Sequence, residues 1–264
     1  MTDLRFAWFE ITGKCQLSCT HCYADSGPRG DSGRLGTADW FRAVDAVAAL
    51  GAKSVQFIGG EPTLHPDLPH FIDRALTAGL EVEVFSNLVH IGPRLWESFS
   101  RPGVRLATSY YSATPTRHES VTRRRGSHAR TRANIAEAVS RDIPLRAGVI
   151  DVGSPAPVQA AVADLRSLGV VSIGTDRQRA VGRGANAFAL DQLCGRCGDG
   201  AVAIAPSGDV WPCVFARRIS LGNILDTDLA TILSKSTFRP PVPTGASCWP
   251  QGGGSCAPND DPPR

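Results

Sequence analysis

The sequence predicts an α/β protein whose main domain is a partial (β/α)6 barrel, similar to an incomplete TIM barrel, followed by a small cysteine-rich domain. From Arg5 to about Gly174, short apolar runs alternate with longer segments of helical period, which is typical of parallel strands joined by crossover helices. After about Asp176 the pattern changes to glycine-rich turns and five cysteines. These observations predict a barrel domain over 1–176 and a second domain over 177–264.

Six short apolar or β-branched runs carry the barrel prediction, and such runs suit a sheet that is buried on both faces. The predicted strands are Phe6–Ile11, Ser54–Ile58, Leu80–Phe85, Val104–Ser109, Leu145–Ile150 and Val170–Ile173. Active sites of α/β barrels lie at the carboxyl ends of the strands. Residues that follow these strands are therefore the first candidates for a functional site.

Helix signals fall between several of these strands. Capping residues and glycine stops predict helices that begin near Thr37, Asp67, Ser127 and Pro155. In the second domain the sequence predicts a hairpin over Ala201–Val214, turning at Ser207-Gly208, and a short helix at Leu229–Leu233. Residues after Cys256 are expected to be disordered.

Composition excludes several classes of protein. The formal net charge is +3, and the basic residues are spread out apart from the run Arg123–Arg125, so we expect no nucleic-acid partner. No segment resembles a signal peptide or a membrane span, which predicts a cytoplasmic protein without a membrane partner. The Arg123–Arg125 run is compatible with either an acidic ligand or a solvated loop.

The eight cysteines indicate metal or redox chemistry, because the cytoplasm keeps thiols reduced. Cys15, Cys19 and Cys22 have the spacing CxxxCxxC just beyond the first predicted strand. Three thiolates can hold three irons of a [4Fe–4S] cube and leave the fourth iron open to an external ligand. The alternative is a zinc site that His21 completes.

This loop resembles the signature of the radical S-adenosylmethionine (SAM) superfamily. The resemblance implies that the amino and carboxylate groups of SAM chelate the open iron. It also implies that the reduced cluster cleaves SAM into a 5′-deoxyadenosyl radical, which abstracts a hydrogen atom from a substrate. Such a reaction needs an electron donor such as flavodoxin or ferredoxin. His21 stands where the family usually has an aromatic residue near the adenine of SAM.

Two further motifs fit the resemblance. Gly59-Gly60-Glu61-Pro62 follows the second strand, where the missing glycine side chains would let a ligand approach the backbone. In the family this motif contacts the amino group of SAM. Ser86 and Asn87 end the third strand, where a similar polar pair bonds the ribose hydroxyls, although an Asx-type turn is an alternative.

The end of the fourth strand both matches the family pattern and departs from it. Ser109 fits the Ser-x-Asp-Gly pattern of the relatives and is a candidate SAM contact. Tyr111 replaces the expected acid, and Ser112 replaces the glycine. This change indicates a different surface facing the substrate, although Tyr111 is also compatible with simple packing.

The remaining cysteines resemble the start of a SPASM or twitch domain, an auxiliary iron–sulfur appendage of radical SAM enzymes, and Val181-Gly182-Arg183-Gly184 resembles the segment that leads into one. These cysteines are Cys194, Cys197, Cys213, Cys248 and Cys256. Five thiols fit one auxiliary [4Fe–4S] cluster and one spare. Cys197, Cys213 and Cys256 are assigned as ligands, while Cys194 and Cys248 compete for the fourth place. A structural zinc knot is the alternative.

The resemblance implies three possible functions. SPASM-type relatives favour a peptide maturase that forms a cross-link, a thioether or a similar oxidation in a ribosomally synthesised peptide. Radical oxidation or epimerisation of an amino sugar or cyclitol is the second hypothesis, and an epimerase would need a hydrogen donor such as the spare cysteine. A non-catalytic iron–sulfur sensor is the third. No general base is assigned.

Overall fold

The computed structural model describes residues 4–153, 156–185, 193 and 197–236. Its centre is a nine-stranded sheet with the order β6-β5-β4-β3-β2-β1-β7-β8-β9. The strands are β1 (Phe6–Glu10), β2 (Ser54–Ile58), β3 (Glu81–Phe85), β4 (Val104–Tyr110), β5 (Leu145–Asp151), β6 (Ser172–Arg177), β7 (Ala201–Ile204), β8 (Asp209–Trp211) and β9 (Gly222–Asn223). Strands β1 to β6 are parallel neighbours in sequence order, which confirms the six-unit partial barrel.

The helices lie between the strands and cover the outer face of the sheet. They are α1 (Thr37–Ala49), α2 (Leu68–Thr77), α3 (Pro93–Phe99), α4 (Pro115–Thr122), α5 (Ser127–Ser140), α6 (Ala156–Ser167) and α7 (Leu229–Lys235), with 3₁₀ turns at Pro62–Leu64 and Gly182–Gly184. The predicted helices α1, α2, α5, α6 and α7 are confirmed. Helices α3 and α4 are additions, and each begins with a proline, whose fixed φ suits the first helical position.

Strand β6 extends further than its apolar run predicted, to Arg177 instead of Ile173. It is the outer strand of the barrel side of the sheet, where one flank has no neighbouring strand. Polar residues such as Asp176 are tolerated at a sheet edge. The apolar residues of the sequence therefore stop at Ile173, although the hydrogen bonds between β5 and β6 continue to Arg177.

The predicted hairpin is confirmed as β7 and β8, which pair antiparallel. Strand β7 also pairs in parallel with β1, with Phe6 opposite Ala201 and Phe9 opposite Ile204. The same sheet thus continues from the barrel into the later part of the chain, and the backbone groups of β1 are paired on both sides. The domain boundary near residue 176 stays a prediction.

The two faces of β1 show how the core is divided. Ala7 and Phe9 join the large apolar core beneath the helices. Phe6 and Trp8 face the opposite side and join a second cluster that includes Cys197. The alternation follows from the two-residue period of a strand.

The inner face carries a charged layer where complete barrels have apolar layers. The Glu83 carboxylate is fully buried and accepts hydrogen bonds from Arg146 Nε at 2.8 Å and Arg146 Nη2 at 2.7 Å. Arg105 Nε lies 3.2 Å from the same carboxylate, and Gln56 donates to it as well. Such a carboxylate is tolerated only because these groups compensate for its lost hydration.

A buried polar network joins β4 to the helices outside it. Tyr110 Oη donates to Asp164 Oδ2 at 2.6 Å and lies 2.8 Å from His128 Nε2. The His118 ring packs against Tyr110 and His128, with centroid distances of 5.2 Å and 5.3 Å. Burial, together with the neighbouring His128, lowers the pKa of His118 to about 4.

No helix among the described residues is long and apolar enough to cross a membrane.

The low pKa of His118 predicts a loss of stability in mild acid. An unfolded histidine titrates near pH 6.5, so the folded state binds fewer protons between that pH and about 4. The stabilisation is therefore fully present above pH 6.5 and declines as the pH falls. Between pH 7 and 4.5, we expect the free energy of unfolding in urea to fall by about 1–3 kcal/mol less in His118→Gln than in the wild type. His70→Gln on the exposed side of α2 is the control, and equal slopes for wild type and His118→Gln would contradict the prediction.

Candidate functional site

Residues 12–27, which we call the cysteine loop, follow β1 and carry the three spaced cysteines. Cys15 is buried, Cys19 and Cys22 are partly buried, and all three are free thiols. Burial raises the pKa of Cys15 to about 12, and the nearby Glu61 charge adds to the effect. Burial and the neighbouring Cys22 raise the pKa of Cys19 to about 12 as well. Thiolates at these positions therefore need a bound cation, and metal coordination supplies one.

The zinc alternative would need His21 to join the three cysteines around one metal ion. In the ranges that the structure describes, no three His, Cys, Asp or Glu side chains are grouped to hold a single metal ion. Ligands that each bind a different iron of a cube do not need such close grouping. The His21 ring instead packs edge-on against Tyr111, with a centroid distance of 5.0 Å. Burial and the nearby Arg183 lower the pKa of His21 to about 4, so this ring is neutral.

The Gly59-Gly60-Glu61 backbone is bonded directly to the cysteine loop. Gly60 N donates to Thr12 O at 2.6 Å, and Glu61 N donates to Lys14 O at 2.8 Å. A Cβ atom at Gly60 would lie 2.2 Å from Lys14 O, and one at Gly59 would lie 2.4 Å from Thr12 O. The two glycines predict the close approach of a ligand to the backbone. In the structure it is the backbone of the cysteine loop that approaches them.

The Glu61 side chain is buried and joins the ends of β2 and β3. Its Oε1 accepts hydrogen bonds from Thr63 Oγ1 and Ser86 Oγ, each at 2.7 Å, and its Oε2 accepts one from Asn87 N at 2.8 Å. Burial raises the pKa of Glu61, while these donors oppose that rise. Pro62 is buried and begins the following 3₁₀ turn. The contact of this motif with SAM stays a prediction.

Asn87 connects β3 to the cysteine loop. Its Oδ1 accepts from Gln16 Nε2 at 3.0 Å, and its Nδ2 donates to Gln16 Oε1 at 3.2 Å and lies 3.7 Å from Cys15 Sγ. Oδ1 also accepts from Val89 N at 3.0 Å, which is the hydrogen bond of an Asx-type turn. Ser86 Oγ accepts from Leu88 N while it donates to Glu61. The ribose contact predicted for Ser86 and Asn87 stays a prediction.

Ser109 and Tyr111 end β4 near the cysteine loop. Ser109 lies opposite Gly148 of β5. Tyr111 packs between His21 and His118, at centroid distances of 5.0 Å and 5.3 Å. Burial, with the Cys19 thiol beside it, raises the pKa of Tyr111 well above its ordinary value, so the phenol is neutral. The chain thus places a neutral ring where the sequence pattern of relatives has an acid.

Arg183 is a site residue that the sequence analysis did not assign. Its guanidinium donates to Cys19 O at 2.9 Å, Asp25 Oδ1 at 2.9 Å and Ser26 O at 2.6 Å. Its backbone N donates to Cys22 O at 3.0 Å. From the sequence, Gly182 and Arg183 are recognised only as part of the segment that leads into the second domain. The Gly-Arg-Gly pattern was visible, but its contact with a loop more than 150 residues away was not.

Gly182 explains why glycine precedes this arginine. Its φ is +58°, and a Cβ atom there would lie 2.3 Å from the carbonyl oxygens of both Cys22 and Tyr23. Only a residue without a side chain lets the two backbones come this close. The 3₁₀ turn at Gly182–Gly184 therefore holds the loop at its third cysteine, whereas the Gly59-Gly60 contact holds its beginning.

A buried ion pair joins β1 to the segment after Cys213. Arg217 Nη1 donates to the Glu10 carboxylate, and the Arg217 guanidinium lies 4.4 Å from the centroid of the Trp211 ring. Burial raises the pKa of Glu10, while Arg217 acts in the opposite direction. The Tyr23 ring, next to Cys22, packs 5.3 Å from the ring of Phe215. These contacts connect the cysteine loop to the second cysteine group.

The structure brings two cysteines of the second group together. Cys197 and Cys213 are buried with their sulfurs 3.1 Å apart, and Gly198 N donates to Pro212 O at 3.0 Å beside them. Such a pair of thiols is a suitable half of a four-thiolate site. Cys194, Cys248 and Cys256 lie outside the described residues, and their assignment stays a prediction.

Comparison with known families decides what this loop is. Residues 9–155, more than half of the chain, match the radical SAM superfamily. The chain belongs to the radical SAM superfamily. Residues 194–248 match the SPASM family, which is described as an iron-sulfur cluster-binding domain. The cofactors of the chain are therefore a [4Fe–4S] cluster, SAM and an auxiliary iron–sulfur cluster.

Several curated relatives are similar over part of their length. A PqqA peptide cyclase of Ruegeria pomeroyi is 31% identical over 137 residues, which are 52% of this chain and 37% of the relative. An AdoMet-dependent heme synthase of Methanosarcina barkeri is 31% identical over 53% of this chain and 40% of the relative. A mycofactocin maturase MftC of Mycobacterium ulcerans is 34% identical over 33% of this chain and 23% of the relative. The chain thus spans two fifths or less of these relatives.

Solved structures share the fold at low sequence identity. Streptococcus suis SuiB bound to its precursor peptide SuiA superposes with a TM-score of 0.77 at 14% identity, over 90% of this chain and 66% of SuiB. BtrN in complex with AdoMet and 2-DOIA has a TM-score of 0.54 at 14% identity, over 88% of this chain and 83% of BtrN. These likenesses confirm the partial barrel as the fold of the chain.

The close contact at Gly60 predicts that a single methyl group disturbs the cluster site. Gly60→Ala places a Cβ against the Lys14 carbonyl, so the cysteine loop must shift. We expect a loss of about 1–3 kcal/mol in stability and a severalfold lower iron content after anaerobic reconstitution. Gly27→Ala, in the same loop but with no atom closer than 3.8 Å, is the matched control. Equal iron content in the two variants would refute this role of Gly60.

Proposed function

We propose that this protein reductively cleaves SAM and uses the resulting radical to modify a ribosomally synthesised peptide in a net oxidation, such as a cross-link or thioether. The observation that carries the proposal is the loop of three free cysteines, bonded to the ends of the neighbouring elements on both sides. When bound, the cluster and SAM supply one electron and a 5′-deoxyadenosyl radical.

The chain's own residues position these cofactors and keep water away. Cys15, Cys19 and Cys22 hold three irons, and the backbone of Gly59–Glu61 fixes their loop. We assign the SAM amino contact to the Gly59-Gly60-Glu61-Pro62 segment. His21 and Tyr111 present neutral rings beside the loop, which suits the exclusion of water from a radical.

We assign further SAM contacts to the ends of β3 and β4. Ser86 and Asn87 are the candidates for the ribose hydroxyls, and Ser109 is the candidate at β4. The two candidates at β3 are held by Glu61 and by the cysteine loop, so their positions depend on the loop being in place. We therefore expect SAM binding to depend on the same contacts that hold the cluster loop.

The peptide substrate is supported by the names of the relatives. A PqqA peptide cyclase and a mycofactocin maturase share the barrel sequence, and SuiB was solved with a precursor peptide. We propose that the auxiliary cluster accepts the electron left on the substrate and passes it to an oxidised one-electron carrier protein, while the proton leaves to solvent. The Glu10–Arg217 pair and Trp211 connect the region of Cys22 to that of Cys213, which supports such a transfer.

A partner protein and a cellular location follow from this chemistry as proposals. Each turnover consumes an external electron, so we infer a one-electron donor such as flavodoxin or ferredoxin. We also infer a cytoplasmic location, because free thiols and reduced clusters need a reducing compartment. Detection of the chain in a cytosolic fraction that retains SAM cleavage tests the location.

The cluster assignment predicts separable iron losses. The wild type should bind about eight irons, and Cys15→Ala, Cys19→Ala and Cys22→Ala combined should remove about four of them, together with all 5′-deoxyadenosine formation. The double variant Cys197→Ala and Cys213→Ala should also lose about four irons but keep SAM cleavage with dithionite. Iron analysis and chromatography of the products measure both effects. Cleavage that survives in the triple variant would sink the proposal.

The substrate class has its own test. We expect short peptides encoded beside the gene for this chain to lose two hydrogens per modification when incubated with the reduced enzyme and SAM, as measured by mass spectrometry. The Cys197→Ala, Cys213→Ala double variant should leave the peptide unmodified. Turnover of an amino sugar or cyclitol with no change in any such peptide would replace the peptide proposal with the second hypothesis.

A further inference from the structure

The basic run Arg123–Arg125 lies next to the cysteine loop. Two backbone hydrogen bonds join that loop to the last turn of α4, from Ser18 N to Thr122 O at 3.1 Å and from Thr20 N to Val121 O at 2.9 Å. The run begins at the next residue. Both loop residues are exposed, so the segment between the cluster cysteines reaches the protein surface here.

The run is held in place by contacts that leave most of its charge facing solvent. Arg124 Nη1 donates to Gln16 O at 3.0 Å, inside the cysteine loop. Arg123 adopts a left-handed conformation with a φ of +56°, which ends α4. Glu119, the nearest acid in sequence, accepts a hydrogen bond from Gly126 N at 2.8 Å and thereby closes the turn that follows the run.

All three arginines of the run are exposed, and in the described part of the chain none of them forms a salt bridge. Three clustered positive charges within one Debye length of each other form a local attractive field for an acidic partner. Such a field favours the acidic ligand over the solvated loop, the two alternatives that the sequence allows for this run.

The position of α4 indicates which acidic ligand fits. His118 of α4 packs on Tyr110, whose side chain belongs to the core under the helices. The same His118 ring packs on Tyr111, which contacts His21 within the cysteine loop, so α4 supports that loop directly. A ligand bound to the run lies beside the exposed Ser18 and Thr20, between the cluster cysteines, which is where an electron carrier has to dock.

We propose that Arg123–Arg125 and the exposed part of the cysteine loop form the docking surface for an acidic one-electron carrier protein. This inference rests on the proposed function, because only a cluster that must be reduced at each turnover needs such a surface. Complementary charge raises the rate of association and guides orientation more than it raises final affinity. The docked carrier gives one electron to the cluster and is itself oxidised by one electron.

The test compares a protein donor with a small chemical donor. The variant carries Arg123→Asn, which suits the left-handed conformation, and Arg125→Gln, while Arg124 keeps its bond to Gln16. The matched control carries Lys53→Gln and Arg166→Gln, two exposed residues near the amino ends of β2 and β6. Rates of 5′-deoxyadenosine formation are measured with an acidic flavodoxin hydroquinone at varied concentration and salt, and with dithionite.

We expect kcat/KM for flavodoxin to fall about fivefold or more in the run variant at low salt, with a weaker salt dependence, and to stay unchanged in the control. Dithionite-driven cleavage and iron content should match the wild type in both. Unchanged flavodoxin kinetics would overturn the docking surface. An equal loss of dithionite-driven cleavage would also overturn it. A change confined to the KM of the peptide would overturn it as well, and would assign the run to substrate binding. Absence of dithionite-driven cleavage in the wild type would instead refute the proposed function.

Discussion

The two hydrogen bonds from Gly60 N and Glu61 N to the carbonyls of Thr12 and Lys14 position the cysteine loop, and the rest of the site depends on them. They are possible because two glycines follow β2, where any side chain would meet the loop backbone. The Glu61 carboxylate also accepts a hydrogen bond from Asn87 N at the end of β3. The ends of β1, β2 and β3 therefore meet around the cysteine loop. The site thus combines these backbone contacts with side-chain contacts from Glu61, Asn87 and Arg183.

Buried charge is the second constraint on this fold. Glu10, Glu61 and Glu83 are all buried on or beside the sheet, and they are compensated in two different ways. Glu83 and Glu10 are paired with arginines, while Glu61 is satisfied by hydroxyl and backbone donors. Removing one partner would leave a buried charge uncompensated, which costs more than the pair itself contributes. Such an interior is polar enough to receive a polar substrate, unlike the packed apolar core of a complete barrel.

Much of the fold was predictable because its signals are local. The six barrel strands and the helices α1, α2, α5, α6 and α7 follow from apolar period, caps and glycine stops, and the cysteine spacing identified the site. The sequence did not predict that β7 pairs with β1 or that Arg183 holds the cysteine loop, since both depend on contacts across about 160 to 200 residues. The glycines after β2 were recognised as important, but the partner that requires them was visible only in the folded chain.

Electron–nuclear double resonance can show whether the three cysteines hold a cluster whose open iron binds SAM. The reduced Cys197→Ala, Cys213→Ala variant, in which the barrel cluster contributes the signal, would be mixed with SAM labelled with ¹⁷O in its carboxylate. We expect a ¹⁷O coupling that reports direct coordination of the carboxylate to iron. A fully loaded and reduced cluster with no such coupling at saturating SAM would contradict it.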